Sequence, residues 1–204
     1  MKNIFRPDSP LMLTMTQITD CIFLSLFWML GCFPVVSAGA ATAALYDAAF
    51  RCYRRGEKHP WQRFFHCFRQ NFLPGLLPTV VFLAALGAMG FGLIQLWNRA
   101  VYGEISWMLF SGVAFLAMAA LGVLSVLFPL LSRFENSFGG LMKNTVLLAL
   151  ANLPRTMVLG LLNMVTIGLC LRFVFPLFFL PALTALVSSL LLEPMFRPFM
   201  PEEK

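Results

Sequence analysis

The stretch that decides the fold is Gln70–Asn98, QNFLPGLLPTVVFLAALGAMGFGLIQLWN, twenty-nine residues without a charge between Arg69 and Arg99. A bilayer core of about 30 Å takes roughly 20 helical residues. A charge placed in that core costs several kcal/mol. The run therefore reads as a membrane-spanning helix, and the rest of the chain repeats the pattern. Twenty-six uncharged residues separate Asp20 from Asp47, twenty-eight separate Glu104 from Arg133, sixteen separate Arg155 from Arg172, and twenty separate Arg172 from Glu193. Only 12% of the 204 residues are charged, against 59% hydrophobic. A soluble domain carries about 25% charged residues, so composition excludes an ordinary soluble domain, a disordered chain and a nucleic-acid-binding module.

Six apolar segments follow from these windows: about Thr16–Val36, Ala38–Tyr53, Phe72–Trp97, Ser106–Leu131, Pro154–Leu171 and Phe173–Leu192, with a short helix from Ser137 ahead of the fifth. The expected fold class is all-α. It is a polytopic transmembrane helix bundle of about six membrane helices, forming one integral membrane domain over residues 1–204. The second segment is short, rich in alanine and carries Asp47, so it reads as either a crossing or a re-entrant segment. With six crossings, thirteen of the fifteen Lys and Arg residues fall on one side, leaving only Arg99 and Arg172 opposite. Positive charge marks the cytoplasmic side, which places both termini in the cytoplasm of a cell-membrane protein. Trp97, Tyr102 and Trp107 bracket the outer loop as headgroup-level anchors, and Trp28 is expected to pack against another helix. Val36-Ser37-Ala38 has the look of a secretory cleavage site, but Asp20 and the long polar N-region argue against a signal peptide.

The five cysteines contain no C-x-x-C pair and predict no disulfide framework. Cys52, His59, His66 and Cys67 match no zinc spacing. The chain has no G-x-S-x-G, no H-E-x-x-H and no phosphate-binding glycine loop. The expectation is a protein without catalytic, cofactor or metal residues.

The informative charges lie between Arg51 and Asn71, where six Lys/Arg residues accompany one acid, Glu57. Pro60 opens a helix on which Trp61, Phe65, Phe68 and Phe72 recur at helical spacing, with Arg63, His66 and Arg69 directed elsewhere. This is a basic amphipathic cytoplasmic helix suited to anionic headgroups or a docking partner. Asp20 and Asp47 are intramembrane acids within one to two turns of the cytoplasmic boundary, and the expectation is pairing with Arg51 or Arg155 rather than ion coupling. Arg133, Glu135 and Asn136 turn the fourth segment into the cytoplasm. Ala40, Ala44 and Ala48, and likewise Ala84, Ala88 and Gly92, form small-residue faces that permit close helix packing. Finally, Phe33-Pro34 with Ala40, Thr42 and Ala43 recurs as Phe175-Pro176 with Ala182, Thr184 and Ala185 at the same offsets, an echo of the internal duplication found in some transporters.

Several segments together carry a resemblance: Ala38-Gly39-Ala40-Ala41-Thr42-Ala43-Ala44-Leu45-Tyr46, the Trp61-to-Phe72 stretch with Arg69 and Asn71, Phe128-Pro129 with Arg133-Phe134-Glu135-Asn136, and Lys143-Asn144 followed by Leu153-Pro154-Arg155-Thr156. The chain resembles the YesL family of bacterial membrane proteins, domain of unknown function 624. Ser37-Ala38-Gly39-Ala40 departs from it, since relatives often read Thr-Ile-Gly-Pro there. The resemblance implies a Gram-positive source and no established enzymatic activity. It also implies an accessory or assembly role beside carbohydrate ABC importers, with permease subunits as partners. The contact candidates are then Trp61, Arg63, Phe65, Phe68, Arg69, Arg133, Glu135, Asn136 and Arg155. The alternative is a small secondary transporter, dimeric, using Asn163, Thr166, Thr184, Ser188 and Ser189 as its polar residues.

Overall fold

A computed structural model describes residues 10–54, 59–103, 106–133, 138–173 and 175–196. The described residues form seven α-helices: α1 (Pro10–Cys32), α2 (Ala38–Ala49), α3 (Pro60–Val101), α4 (Trp107–Arg133), α5 (Phe138–Ala151), α6 (Leu153–Arg172) and α7 (Leu180–Phe196). A 3-10 turn, Val35–Ser37, leads into α2, and a second, Phe175–Phe178, leads towards α7. α1, α3, α4 and α6 are each long and apolar enough to cross a membrane, while α5 and α7 are apolar but shorter. The all-helical, polytopic membrane architecture is as the sequence indicates.

Two boundaries differ from the sequence reading. The amphipathic helix and the third apolar segment are not separate, because α3 runs unbroken through Pro74 and Pro78. Each proline lacks an N–H and frees a carbonyl one turn back, and membrane helices tolerate this when nearby side chains and packing compensate. Thr79, next to Pro78, donates its hydroxyl to the Gly75 carbonyl at 2.5 Å. The short helix expected ahead of the fifth segment is present as α5, and the break between it and α6 is spanned by Thr156, whose hydroxyl reaches the carbonyls of Ala149 at 2.9 Å and Asn152 at 3.1 Å. The sixth segment starts later than expected, since Phe175–Phe178 is a 3-10 turn and α7 begins at Leu180.

The second segment is the centre of the fold. α2 has twelve residues, of which only Ala38 and Thr42 are not buried. At about 1.5 Å per residue it is about 18 Å long, less than a hydrocarbon core. It continues into one π-helical turn, Phe50–Arg54. Ala40, Ala44 and Ala48 are all buried, as the small-residue face implies. Neighbouring helices approach α2 closely because it carries so little side chain: a Cβ on Gly39 would collide with Thr79 and Phe128. α4 and α6 cross equally tightly. A Cβ on Gly122 would meet the Thr156 carbonyl, and one on Gly160 would meet the Met118 carbonyl. These two pairs also show α6 running antiparallel to α4 from a point near the middle of α4. Among the described residues, the other small face, on α3, is left uncovered: Ala84 and Ala88 are exposed, and no neighbour lies within 4 Å of a Cβ on Gly92.

Candidate functional site: a buried ionic cluster and the adjoining cavity

α2 buries one acid, and two flanking elements supply its cations. Asp47 has a fully buried side chain. Its Oδ1 accepts from Nε of Arg51 at 2.9 Å, one helical turn on, and its Oδ2 accepts from Nε of Arg63 on α3 at 2.6 Å. A buried carboxylate needs this, because desolvation without a partner would cost more than the fold supplies. The expected pairing with Arg51 is present. Arg63, expected to face lipid or a partner, is instead turned inward by Asp47. Asp20 is half-buried, and no basic group among the described residues pairs with it.

A second ionic group lies on another face of α2. Arg133, at the end of α4, donates from Nη2 to Oε1 of Glu193 on α7 at 2.6 Å. Tyr46 of α2 donates its phenol to the same oxygen at 3.3 Å. The Arg133 guanidinium stacks 4.0 Å from the centre of the Phe50 ring, a cation–π contact in a desolvated setting. Arg54 donates from Nη1 to the Ser189 carbonyl at 3.3 Å. Arg133 is thus a buried tie between α4 and α7, not a surface contact. Arg133 and Glu135 are too near in sequence to face each other on a helix, so Arg133 has to pair elsewhere. Glu193 was the partner the sequence did not single out. Glu135 and Asn136 lie outside the described residues.

The remaining contact candidates divide by face. Trp61, Phe65 and Arg69 are exposed, and Phe68 is half-buried against Phe64 and Phe72. The inward face of this part of α3 is Phe64, Cys67 and Asn71, set one position away from the aromatic stripe. Asn71 donates to the Cys67 carbonyl at 2.9 Å. Arg155 is exposed at the start of α6. At the other end of α3, Trp97 packs edge-on to Trp107, with ring centres 5.7 Å apart, and both are about half exposed. Among the described residues, no three His, Cys, Asp or Glu side chains gather as a metal site, and the five cysteines are free thiols.

Beside the ionic clusters lies a partly open cavity of about 340 Å³, bordered by every long helix of the bundle and by α2 and α7. Trp28, Tyr46, Phe82 and Phe128 form aromatic walls. Asn163, Thr166, Thr184 and Ser188 reach it from α6 and α7. Four of the five polar residues considered for a transport path therefore meet at one place. The fifth, Ser189, is fully buried and donates to the Leu186 carbonyl. The sequence echo is also structural. Pro34 and Pro176 each sit at a 3-10 turn leading to a helix, Ala40 and Ala182 are both buried, and Thr42 and Thr184 both line this cavity. Trp28 does pack across helices, donating Nε1 to Oγ1 of Thr42 at 3.2 Å. Tyr46 belongs to both features, lining the cavity with its ring and holding Glu193 with its hydroxyl.

An all-helical polytopic bundle of long apolar helices around a short, buried, acid-bearing one is the architecture of a membrane protein. Residues 21–93 match the family model described as "Protein of unknown function, DUF624". The match takes in α2, the π-helical turn and most of α3, and so includes Tyr46, Asp47, Arg51 and Arg63. No curated protein and no solved structure matches the chain.

Proposed function

We propose that this chain is a non-catalytic accessory or assembly protein of the cell membrane, with both termini in the cytoplasm, that recruits a membrane partner through the first turns of α3. One observation carries the reading. α3 is a single helix of 42 residues, about 63 Å long at 1.5 Å per residue and roughly twice the hydrocarbon thickness. An upright α3 therefore carries its first turns past the hydrocarbon, where Trp61, Phe65 and Arg69 are exposed. Phe64 and Cys67 fasten those same turns to the bundle, so the exposed face is presented rigidly. Basic and aromatic side chains in that arrangement suit anionic headgroups and a partner's polar rim. The resemblance to the YesL family suggests the permease subunits of a carbohydrate ABC importer as that partner. Purification from sugar-grown native cells in mild detergent tests this. Permease subunits should co-purify with the wild-type chain and be lost with Trp61→Ala plus Arg69→Glu. Their repeated absence from the wild-type preparation overturns the reading.

A second reading, a small secondary transporter acting as a dimer, is favoured by the cavity and by the paired turn-and-helix elements around Thr42 and Thr184. Flux across proteoliposomes tests it, and a purified chain that moves no sugar, ion or lipid removes it.

A further inference from the structure

The cavity's hydrogen-bonding capacity is unevenly used. A hydroxyl has one donor and two lone pairs. Thr42 donates to the Ala38 carbonyl at 2.7 Å, Ser125 to Leu121 at 2.6 Å, Thr166 to Leu162 at 2.8 Å and Thr184 to Leu180 at 2.9 Å. Asn163 donates its amide to the Leu159 carbonyl at 2.8 Å, and Tyr46 donates to Glu193. The hydroxyls thus keep lone pairs rather than protons for the cavity, while Asn163 keeps its carbonyl oxygen and a second N–H. Ser188 is different: its hydroxyl makes no hydrogen bond with the described residues, and it lines the same space. Among the described residues, no acidic or basic side chain borders the cavity. A charged ligand would lose its hydration there without a counter-charge.

We propose that this cavity binds an uncharged amphiphilic alcohol. Its hydroxyl donates to the lone pairs of Asn163, Thr166 or Thr184 and accepts from Ser188. Its apolar body lies against Trp28, Phe82 and Phe128. The volume falls in the ordinary range of small-molecule sites, about 300–1,000 Å³. A purely apolar occupant would leave the polar groups of α6 and α7 unmatched. Binding of this kind is separate from partner recruitment and from flux, and it is measured without either.

The test uses the full chain in phosphatidylcholine nanodiscs. Trp61→Phe, Trp97→Phe and Trp107→Phe leave Trp28 as the fluorescent reporter. Four bromine-quencher probes are compared at equal mole fraction in lipid: 10-bromodecan-1-ol, 1-bromodecane, 10-bromodecanoate and 10-bromodecyl-trimethylammonium. The alcohol should quench saturably, with a half-saturation at least about tenfold below the other three. Asn163→Leu with Thr166→Val should erase most of that preference. Should that pair not fold, Thr184→Val with Ser188→Ala should do the same, and the comparison of probes on the parent chain stands by itself. Parallel, non-saturating curves for alcohol and alkane overturn the proposal. Tighter quenching by either charged probe also overturns it, as does an alcohol preference that survives the polar substitutions.

Discussion

Oδ2 of Asp47 and Nε of Arg63 lie 2.6 Å apart, and this contact joins the buried centre of the bundle to the first turn of its longest helix. The carboxylate is fully buried, whereas the Arg63 and Arg51 side chains keep 29% and 26% of their exposure. The cost of losing each partner is therefore unequal. Removing an arginine leaves Asp47 one remaining cation and some access to water through the gap. Removing the carboxylate's charge leaves two guanidinium groups facing each other.

Asp47→Asn should be the most damaging isosteric change in this cluster, lowering stability by about 2–4 kcal/mol, towards the lower end for a broken buried pair because both arginines are partly solvated. Arg63→Gln and Arg51→Gln should each cost less, about 1–2 kcal/mol. Thermal unfolding in a mild detergent, with a double-mutant cycle on Asp47 and Arg63, measures this. A coupling energy near zero would show that the pair is incidental.

The glycines separate by what surrounds them. Gly39→Ala forces a methyl into Thr79 and the Phe128 ring, and Gly122→Ala and Gly160→Ala force one onto backbone carbonyls of the opposite helix. Overpacking of this kind costs about 1–3 kcal/mol, and the two carbonyl sites should be worst because backbone yields least. Gly87→Ala and Gly90→Ala meet nothing within 4 Å and should stabilise the helix by up to about 1 kcal/mol. Unfolding midpoints of the five variants give the order directly.

How far the chain was legible before the structure depends on which physical signal each residue emits. Hydrocarbon thickness acts on composition over twenty residues, so the long spans α3 and α4 stand out in the charge-free windows. Side-chain pairing acts between residues distant in sequence, and it leaves no periodic trace. Arg63 and Arg133 looked like surface cations for that reason; Asp47 and Glu193, sixteen and sixty positions away, take them inward. The charge-free window also suggested a boundary near Phe72, but a helix continues through a change from charged to apolar residues, and α3 runs on from Pro60 to Val101. The aromatic stripe Trp61, Phe65, Phe68 and Phe72 read correctly as helical, but the buried face lies at Phe64, Cys67 and Asn71. In lipid, an apolar side chain gains nothing by turning inward, so hydrophobic periodicity no longer identifies the core. Thr42 and Thr184 were legible because a repeated motif preserves position as well as composition.

Glu193 accepts from both Arg133 and Tyr46, and the two contacts differ in weight. Tyr46→Phe removes one neutral donor at 3.3 Å and should cost no more than about 1 kcal/mol. Glu193→Gln leaves Arg133, whose side chain is 7% exposed, without its counter-charge and should cost about 3 kcal/mol or more. Exchanging the charges with Arg133→Glu and Glu193→Arg should recover only part of the loss, because the Phe50 ring then faces a carboxylate instead of a guanidinium. Unfolding of the three variants, read against the parent, checks each step.

The sharpest contrast lies between adjacent residues of α3. Phe64 is buried, at 1% exposure, and its neighbour Phe65 is exposed at 48%. Phe64 belongs with Leu24 and Ala44 to the buried cluster that joins α1 and α2 to α3. Phe64→Ala should open a cavity there and cost about 3–5 kcal/mol. Phe65→Ala loses contact with Phe27, whose ring centre is 5.1 Å away, but leaves no enclosed void, so about 1 kcal/mol is expected. Trp61→Ala and Arg69→Gln, at exposed positions, should stay within about 0.5 kcal/mol of the parent. If these last two change stability little yet weaken retention of the permease subunits, the outward face works through a partner. If they unfold the protein as readily as Phe64→Ala, that face is part of the core and the docking assignment fails.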